Sequence, residues 1–370
     1  MSHAPTNPSP PERKPGVAAK LALSLGTLVV LAVVGEIAAR VAGYGATPQF
    51  LEVRSHEHLQ MVPLPNQEKF VGVDDPVTGE QPVPMRVNVH GHRGPDYPLE
   101  KAPDELRIIG LGDSLTFGRG VGTDETYLAL LAADFAADPI TQPAGRQPNV
   151  VNASFNGYAT YHYEQWALTQ LERFQPDVLL VGVYAGNDQE PVGDYGHGAL
   201  FDLTRKSALR RMLIAGYNEF LWKRVRAWKQ GTSVEEVEQD LDRYRGTAGP
   251  QRELAQALWR DSMEHLRGIR AAAEAHDVPV ACILIPTSWM TGAEQEPPFY
   301  AWLREQVEET GLPVIDLYPA LAAVDRAPDD AKDEPSSPWL SFDAGHLNVE
   351  GHRVAMRTVR GGLAGLGIVE

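Results

Sequence analysis

Residues 106–115, LRIIGLGDSL, run an apolar hexapeptide, Leu106–Leu111, straight into Gly112-Asp113-Ser114-Leu115. A short apolar run bounded by turn residues reads as a strand buried on both faces. A serine on the tight strand-to-helix turn that follows is exposed. It also lies at a helix N-terminus, whose partial positive charge favours a developing oxyanion. Gly112 permits the turn. Serine is equally a common helix N-cap, so this tetrapeptide alone does not separate a nucleophile from a cap.

The same alternation continues along the chain. Thr126–Phe135 has a helical pattern, Asn149–Asn152 reads as a second strand, and Tyr161–Phe174 reads as a helix that stops before Pro176. Val178–Tyr184 is a third strand, Glu253–His276 a long helix, and Val278–Ile285 a fourth strand. Ala301–Glu309 is a helix, Val314–Leu317 a fifth strand, and Val349–Leu363 a closing helix. Strands alternating with helices predict an α/β domain, a parallel sheet covered on both faces, over residues 104–370. Residues 40–103 are rich in Pro and Gly, with short extended runs such as Met85–Val89, and read as a linker and lead-in.

Parallel sheets of this kind bind ligands at the carboxyl ends of their strands. After the second strand comes Asn152-Ala153-Ser154-Phe155-Asn156-Gly157, where Gly157 can present a bare backbone N–H or simply make a turn. After the third comes Gly186-Asn187-Asp188, where Asn187 can offer a side-chain donor. Past the fifth comes Asp343-Ala344-Gly345-His346, an acid and an imidazole three positions apart. Together these supply the parts of acyl transfer. Ser114 is the candidate nucleophile, His346 the base that takes its proton, and Asp343 the carboxylate that holds the ring. The N–H groups of Ser114 and Gly157, with the Asn187 amide, form a candidate oxyanion hole.

In these four blocks, in this order, the chain resembles the SGNH subfamily of GDSL esterases and lipases. Ser114 matches the GDS block, Gly157 the N-x-x-x-x-G block, Asn187 the G-N-D block, and His346 with Asp343 the D-x-x-H block. The similarity spans roughly residues 104–365. Asn88-Val89-His90-Gly91-His92-Arg93, ahead of the first strand, looks like the lead-in of membrane-anchored bacterial members. The resemblance implies a flavodoxin-like three-layer α/β/α sandwich of about five parallel strands. It also implies activity without a metal or organic cofactor. His90 and His92 alternate on an extended run and lack the further ligands of a zinc site. His352 and Asp316 read as structural, and Asp113 as the residue that holds the nucleophile turn. Tyr184, Trp339 and Phe342 flank the site loops, suited equally to stacking on a sugar, gripping an acyl chain or packing in the core.

The 370 residues carry 33 Lys and Arg against 49 Asp and Glu, a net charge of −16, which leaves no general basic face for nucleic acid. With Cys282 alone, neither an intramolecular disulfide nor a thiolate cluster can form, and its strand context makes it a small buried apolar residue. Residues 1–16 are polar and Pro-rich, with Arg13 and Lys14 near their end. Residues 17–39 then read as a signal-anchor helix, since about eighteen apolar residues match the hydrocarbon thickness. Positive charge before the span places residues 1–16 in the cytoplasm and the catalytic domain outside, as in a bacterial cell membrane. A cleaved signal and a buried soluble helix are the other readings. The insertion at about 189–252 is longer than a minimal family member needs. Its residues 203–230 hold eight basic residues and one acid among Leu, Phe and Trp residues. This patch reads as an amphipathic helical lid with a solvated basic face, or as a cap for anionic headgroups or glycan.

The combined expectation is a membrane-anchored serine esterase that removes a small acyl group, acetyl first, from an extracytoplasmic glycan. A lipase or lysophospholipase, an O-acyltransferase on a glycan, and a non-catalytic glycan-binding module remain open. The oligomeric state is open as well.

Overall fold

The computed structural model describes residues 17–44, 50–72, 79–137, 146–189, 207–209, 212–213, 224, 250–327, 337–340 and 345–368. The chain forms two compact units, one made of residues 1–47 with 197–219 and the other of residues 48–196 with 220–370.

In the first unit, helix α1 (Val17–Ala39) is continued by a π-helical turn, Arg40–Tyr44. Residues 23–42 are long and apolar enough to cross a membrane. Leu23, Leu28, Leu31 and Val34 are all exposed on it. The Glu36 carboxylate accepts from Ser207 Oγ and from the backbone N–H groups of Ala208 and Leu209. Leu209 packs over Gly35, where a Cβ would lie 3.1 Å from it. This is what can be described of the basic insertion near α1. Of residues 190–249, only 207–209, 212–213 and Arg224 are among the described residues.

The second unit opens with two antiparallel ladders, β1 (Val53–His56) with β2 (Gln60–Pro63), and β3 (Gln67–Val71) with β4 (Val83–Val87). The main sheet follows: β5 (Glu105–Leu111), β6 (Gln147–Asn152), β7 (Val178–Tyr184), β8 (Val280–Ile285) and β9 (Val314–Asp316). All five are parallel, in the order β6-β5-β7-β8-β9. That is the flavodoxin-like order, with the sheet reversing direction between β5 and β7.

Between the strands run α2 (Ser114–Phe117), α3 (Tyr127–Ala137), α4 (Thr160–Phe174), α5 (Pro250–Glu274), α6 (Ser288–Thr291) and α7 (Pro298–Glu309), and after β9 come α8 (Tyr318–Asp325) and α9 (Val349–Gly365). Alternate strand residues feed two cores. Leu179, Val181 and Val183 face α4, α5 and α7, while Val178 and Leu180 share the opposite core with residues of α3, α8 and α9. Both faces are covered, which is why β5, β7 and β8 read as continuous apolar runs. α4 ends where Gln175 turns left-handed (φ 46°) ahead of Pro176.

The three-layer sandwich matches the expected architecture. The lead-in differs from an irregular linker: it forms the two short ladders and is tied to the main sheet through Arg93, whose N–H bonds Asn152 O at 3.0 Å. Four- and five-residue strands are too short for periodicity to register. Helix α8 also escaped that reading, because it follows β9 after a single residue.

Candidate active site

The site is built at the carboxyl edge of the sheet, on the loops that follow β5, β6 and β7, three adjacent strands. After β5, Asp113 is the N-cap of α2, its Oδ1 accepting from Leu115 N at 2.8 Å. Gly118 ends that single turn in the left-handed region (φ 84°). Ser114 is thereby fixed as the first helical residue. Two glycines make room for the turn: a Cβ on Gly112 or on Gly182 would lie 2.2 or 2.1 Å from Thr116 Oγ1. Asp113 is fully buried, and burial, opposed by backbone donors and the His346 charge, pushes its carboxyl up to about 6.

Ser114 Oγ and His346 Nε2 lie 2.7 Å apart although 232 positions separate them. His346 is held by its backbone: its carbonyl accepts from Leu340 N at 2.8 Å, and Trp339 and Leu347 form a bridge beside it. Trp339 is buried, with its indole N–H donating to Thr291 Oγ1 at 2.9 Å. Asn348 then caps α9 by accepting from Gly351 N. Asp343 and Phe342 lie outside the described residues.

After β6 the ladder continues past the strand end, through Ala153 N to Gly110 O and Phe155 N to Gly112 O. This carries the β6–α4 loop alongside the Ser114 turn. Gly157 stands exposed on that loop in the left-handed region (φ 80°), where a side chain would be strained. After β7, Asn187 is half-buried and its Oδ1 is buried without a partner among the described residues. The neighbouring Asp188 anchors the turn: its carboxylate accepts from Tyr163 Oη at 3.1 Å and from Tyr184 N at 2.8 Å. The structure thus joins Ser114 to His346 directly and sets Gly157 and Asn187 on the flanking loops.

Three supporting residues were not picked out by sequence reasoning. Asn152 donates to Thr116 O at 3.0 Å, tying α2 to β6. Asp188 braces the Asn187 turn as described. Arg93 is buried and donates to the carbonyls of Phe117, Gly118 and Val121 at 2.5, 2.7 and 2.6 Å. Burial lowers its guanidinium to about 9, against the raising effect of Glu125 and Asp124. The only sequence signal for Arg93 was its place in the Asn88–Arg93 motif. Of the other residues weighed, His352 is buried with Nδ1 accepting from Tyr127 N. Asp316 binds Tyr300 Oη, Arg304 and Tyr318 N, and Cys282 is buried in β8. His90 and His92 both turn to Tyr97, on its carbonyl and its hydroxyl. Among the described residues no three His, Cys, Asp or Glu side chains group as a metal site.

A family model described as the GDSL-like lipase/acylhydrolase family matches residues 111–354. No curated protein matches the chain. Among solved structures, the psychrotrophic esterase EstA from Pseudoalteromonas sp. is 12% identical, with 71% of this chain and 98% of that one covered and a TM-score of 0.36. The acetylxylan esterase Axe2 from Geobacillus stearothermophilus is 15% identical, with 70% and 94% covered and a TM-score of 0.39. A GDSL-like lipase from Bacteroides thetaiotaomicron is 10% identical, with 72% and 91% covered and a TM-score of 0.36.

Proposed function

The chain belongs to the GDSL-like lipase/acylhydrolase family and is a serine ester hydrolase, and on that premise we propose that Ser114, His346 and Asp343 are its triad and that the N–H groups of Ser114 and Gly157 with the Asn187 amide form its oxyanion hole. The observation that supports this best is the 2.7 Å contact between Ser114 Oγ and His346 Nε2. That distance lets the imidazole take the hydroxyl proton as Oγ attacks the ester carbonyl. The carbonyl oxygen gains negative charge and meets the donors of the β5 and β6 loops and Asn187. Losing one such donor costs about 2.7–4 kcal/mol of transition-state stabilisation. The tetrahedral intermediate collapses as His346 returns the proton to the leaving alkoxide. Water then attacks the acyl-serine with His346 again as base, releasing the acid and restoring Oγ–H.

The substrate in this reading is an acetyl ester on an extracytoplasmic glycan. α1 anchors the chain, and the charge preceding it keeps residues 1–16 in the cytoplasm. The exposed apolar circumference of α1 and its length support the anchor. The test is hydrolysis of p-nitrophenyl acetate and its longer homologues by the full-length chain in detergent micelles, with Ser114→Ala beside it. Turnover greatest at acetyl and abolished in S114A is the expected result. A maximum at long chains refutes the acetyl assignment in favour of a lipase. Turnover that begins only when a sugar acceptor is added makes the protein an acyltransferase.

A further inference from the structure

Beside the candidate active site the second unit forms a pocket, open to solvent, of about 130 Å³. Hairpin β1–β2, the turn Val89–His92 and a face of α4 wall it, together with Ala153–Phe155. The segment Ala153–Phe155 leads directly to Gly157. Two guanidiniums, Arg54 and Arg173, line the pocket, and neither has a carboxylate partner among the described residues. Their charges reach the imidazoles of the pocket. Burial, followed by Arg54, His58 and Arg173, holds His56 below its ordinary value, with Glu57 acting the other way. Burial, followed by His90 and Arg173, pushes His92 down to about 3.

The remaining lining is that of a site for a ring with polar edges. Nδ1 of His56 accepts from the N–H groups of His58 and Leu59, so its ring proton is on Nε2 as a further donor. His90 Nε2 donates to the Tyr97 carbonyl, which leaves Nδ1 for a ligand hydroxyl. Buried Tyr158, Trp166 and Phe174 supply apolar faces. The volume is somewhat below that of a closed cavity that holds benzene, about 150 Å³, and because the pocket is open and its arginines exposed, a ring can seat a face in it with its charged substituent outside. Two unpaired cations beside aromatic faces call for an oxyanion on that ring.

We propose that this pocket binds an acidic sugar unit, a six-membered ring bearing a carboxylate or phosphate, with Arg54 and Arg173 holding the anionic group. The inference concerns binding alone and stands whether or not Ser114 is the nucleophile. The experiment is calorimetric titration of the full-length chain in non-ionic micelles with glucuronate, glucose 6-phosphate, glucose and inorganic phosphate. Saturable binding of glucuronate or glucose 6-phosphate is expected, and which of the two binds tells carboxylate from phosphate. Glucose and inorganic phosphate should bind at least about tenfold more weakly, and R54Q/R173Q should weaken the sugar acid by at least about tenfold, the equivalent of one charge-assisted hydrogen bond. R173E should abolish binding. Both arginine side chains are exposed, so these variants fold, and unchanged hydrolysis of p-nitrophenyl acetate confirms it. The proposal fails if neither sugar acid binds, if R54Q/R173Q binds as tightly as the wild type, or if inorganic phosphate binds as tightly as the sugar acid.

Discussion

Thr116 sits between two glycines, and the geometry separates what each glycine does. A Cβ on Gly182 would lie 2.1 Å from Thr116 Oγ1, with Thr116 Cβ and Leu111 O next at 3.4 Å. A Cβ on Gly112 would lie 2.2 Å from Oγ1, 2.4 Å from Thr116 Cβ and 3.0 Å from Cγ2. Carbon atoms pack at about 3.5–4.0 Å, so Gly112→Ala must push α2, and Ser114 with it, by about 1 Å. A displacement of that size costs about 10²-fold in rate. Gly182→Ala collides with one hydroxyl oxygen, an overpacking worth about 1–3 kcal/mol. Thr116→Ala removes that oxygen but keeps the Cβ. It also takes an acceptor from Tyr127 Oη, which lies 3.1 Å from Oγ1, so the comparison needs a double-mutant cycle. In the Thr116→Ala background, Gly182→Ala should cost only a few tenths of a kcal/mol, a coupling of about 1–3 kcal/mol. Gly112→Ala should still lose about 10²-fold in kcat/KM there. The measurements are urea midpoints and kcat/KM on p-nitrophenyl acetate. Additive G182A and T116A effects, or a G112A enzyme of wild-type activity, would refute the reasoning.

Other expectations follow from the same contacts. Arg107 is fully buried and binds Glu105 and the carbonyls of Pro98, Leu99 and Phe174. R107M should lower stability by about 3–5 kcal/mol, read as a urea midpoint, because the Glu105 charge loses its partner. Burial pushes His92 and His352 down to about 3, so both stay neutral in the folded chain while the unfolded chain protonates them below about 6.5. Each therefore withdraws stability as pH falls from about 6.5 towards 3, by up to about 1.4 kcal/mol per pH unit. Asp113, raised to about 6 by burial, works the other way between about 6 and 4, since the folded chain takes up its proton first. Burial holds His162 at about 4, so it adds a loss of the same sign, and the three histidines together outweigh Asp113: Tm should fall as pH drops from about 6.5 towards about 4.5, and His92→Gln should flatten that fall. A chain lacking residues 1–44 should leave the membrane fraction on cell lysis, and retention there would refute the anchor. Asp188→Ala frees the turn that holds Asn187 and, if Asn187 is the oxyanion donor proposed above, should cut kcat by about 10–100-fold with KM little changed, because such a donor acts in the transition state.

Much of this was legible along the chain. Strands β5, β7 and β8 lie buried on both faces, so apart from the paired Glu105 and Arg107 of β5 their side chains are almost all apolar, and Leu106–Leu111, Val178–Tyr184 and Val278–Ile285 announced themselves as runs. Proline and glycine punctuation, at Pro176 and Gly311, marked where α4 and α7 stop. The blocks that hold Ser114, Gly157 and Asn187 were visible because each follows a strand, where a parallel sheet assembles its sites, and the His346 block because it stands just ahead of the closing helix.

What the chain could not disclose by itself are the interactions made by distant residues of ordinary type. Arg93 looks like any arginine in a loop until folding buries it against three carbonyls. Thr116 looks like any helix residue until Gly112 and Gly182, 70 positions apart, close on it. The pairing of Ser114 with His346 spans 232 positions. Local sequence determines the elements, because strand and helix periodicity and turn chemistry act over a few residues. The neighbours across layers are decided by packing the whole sheet, since burial and close packing reward contacts without regard to their separation in the chain.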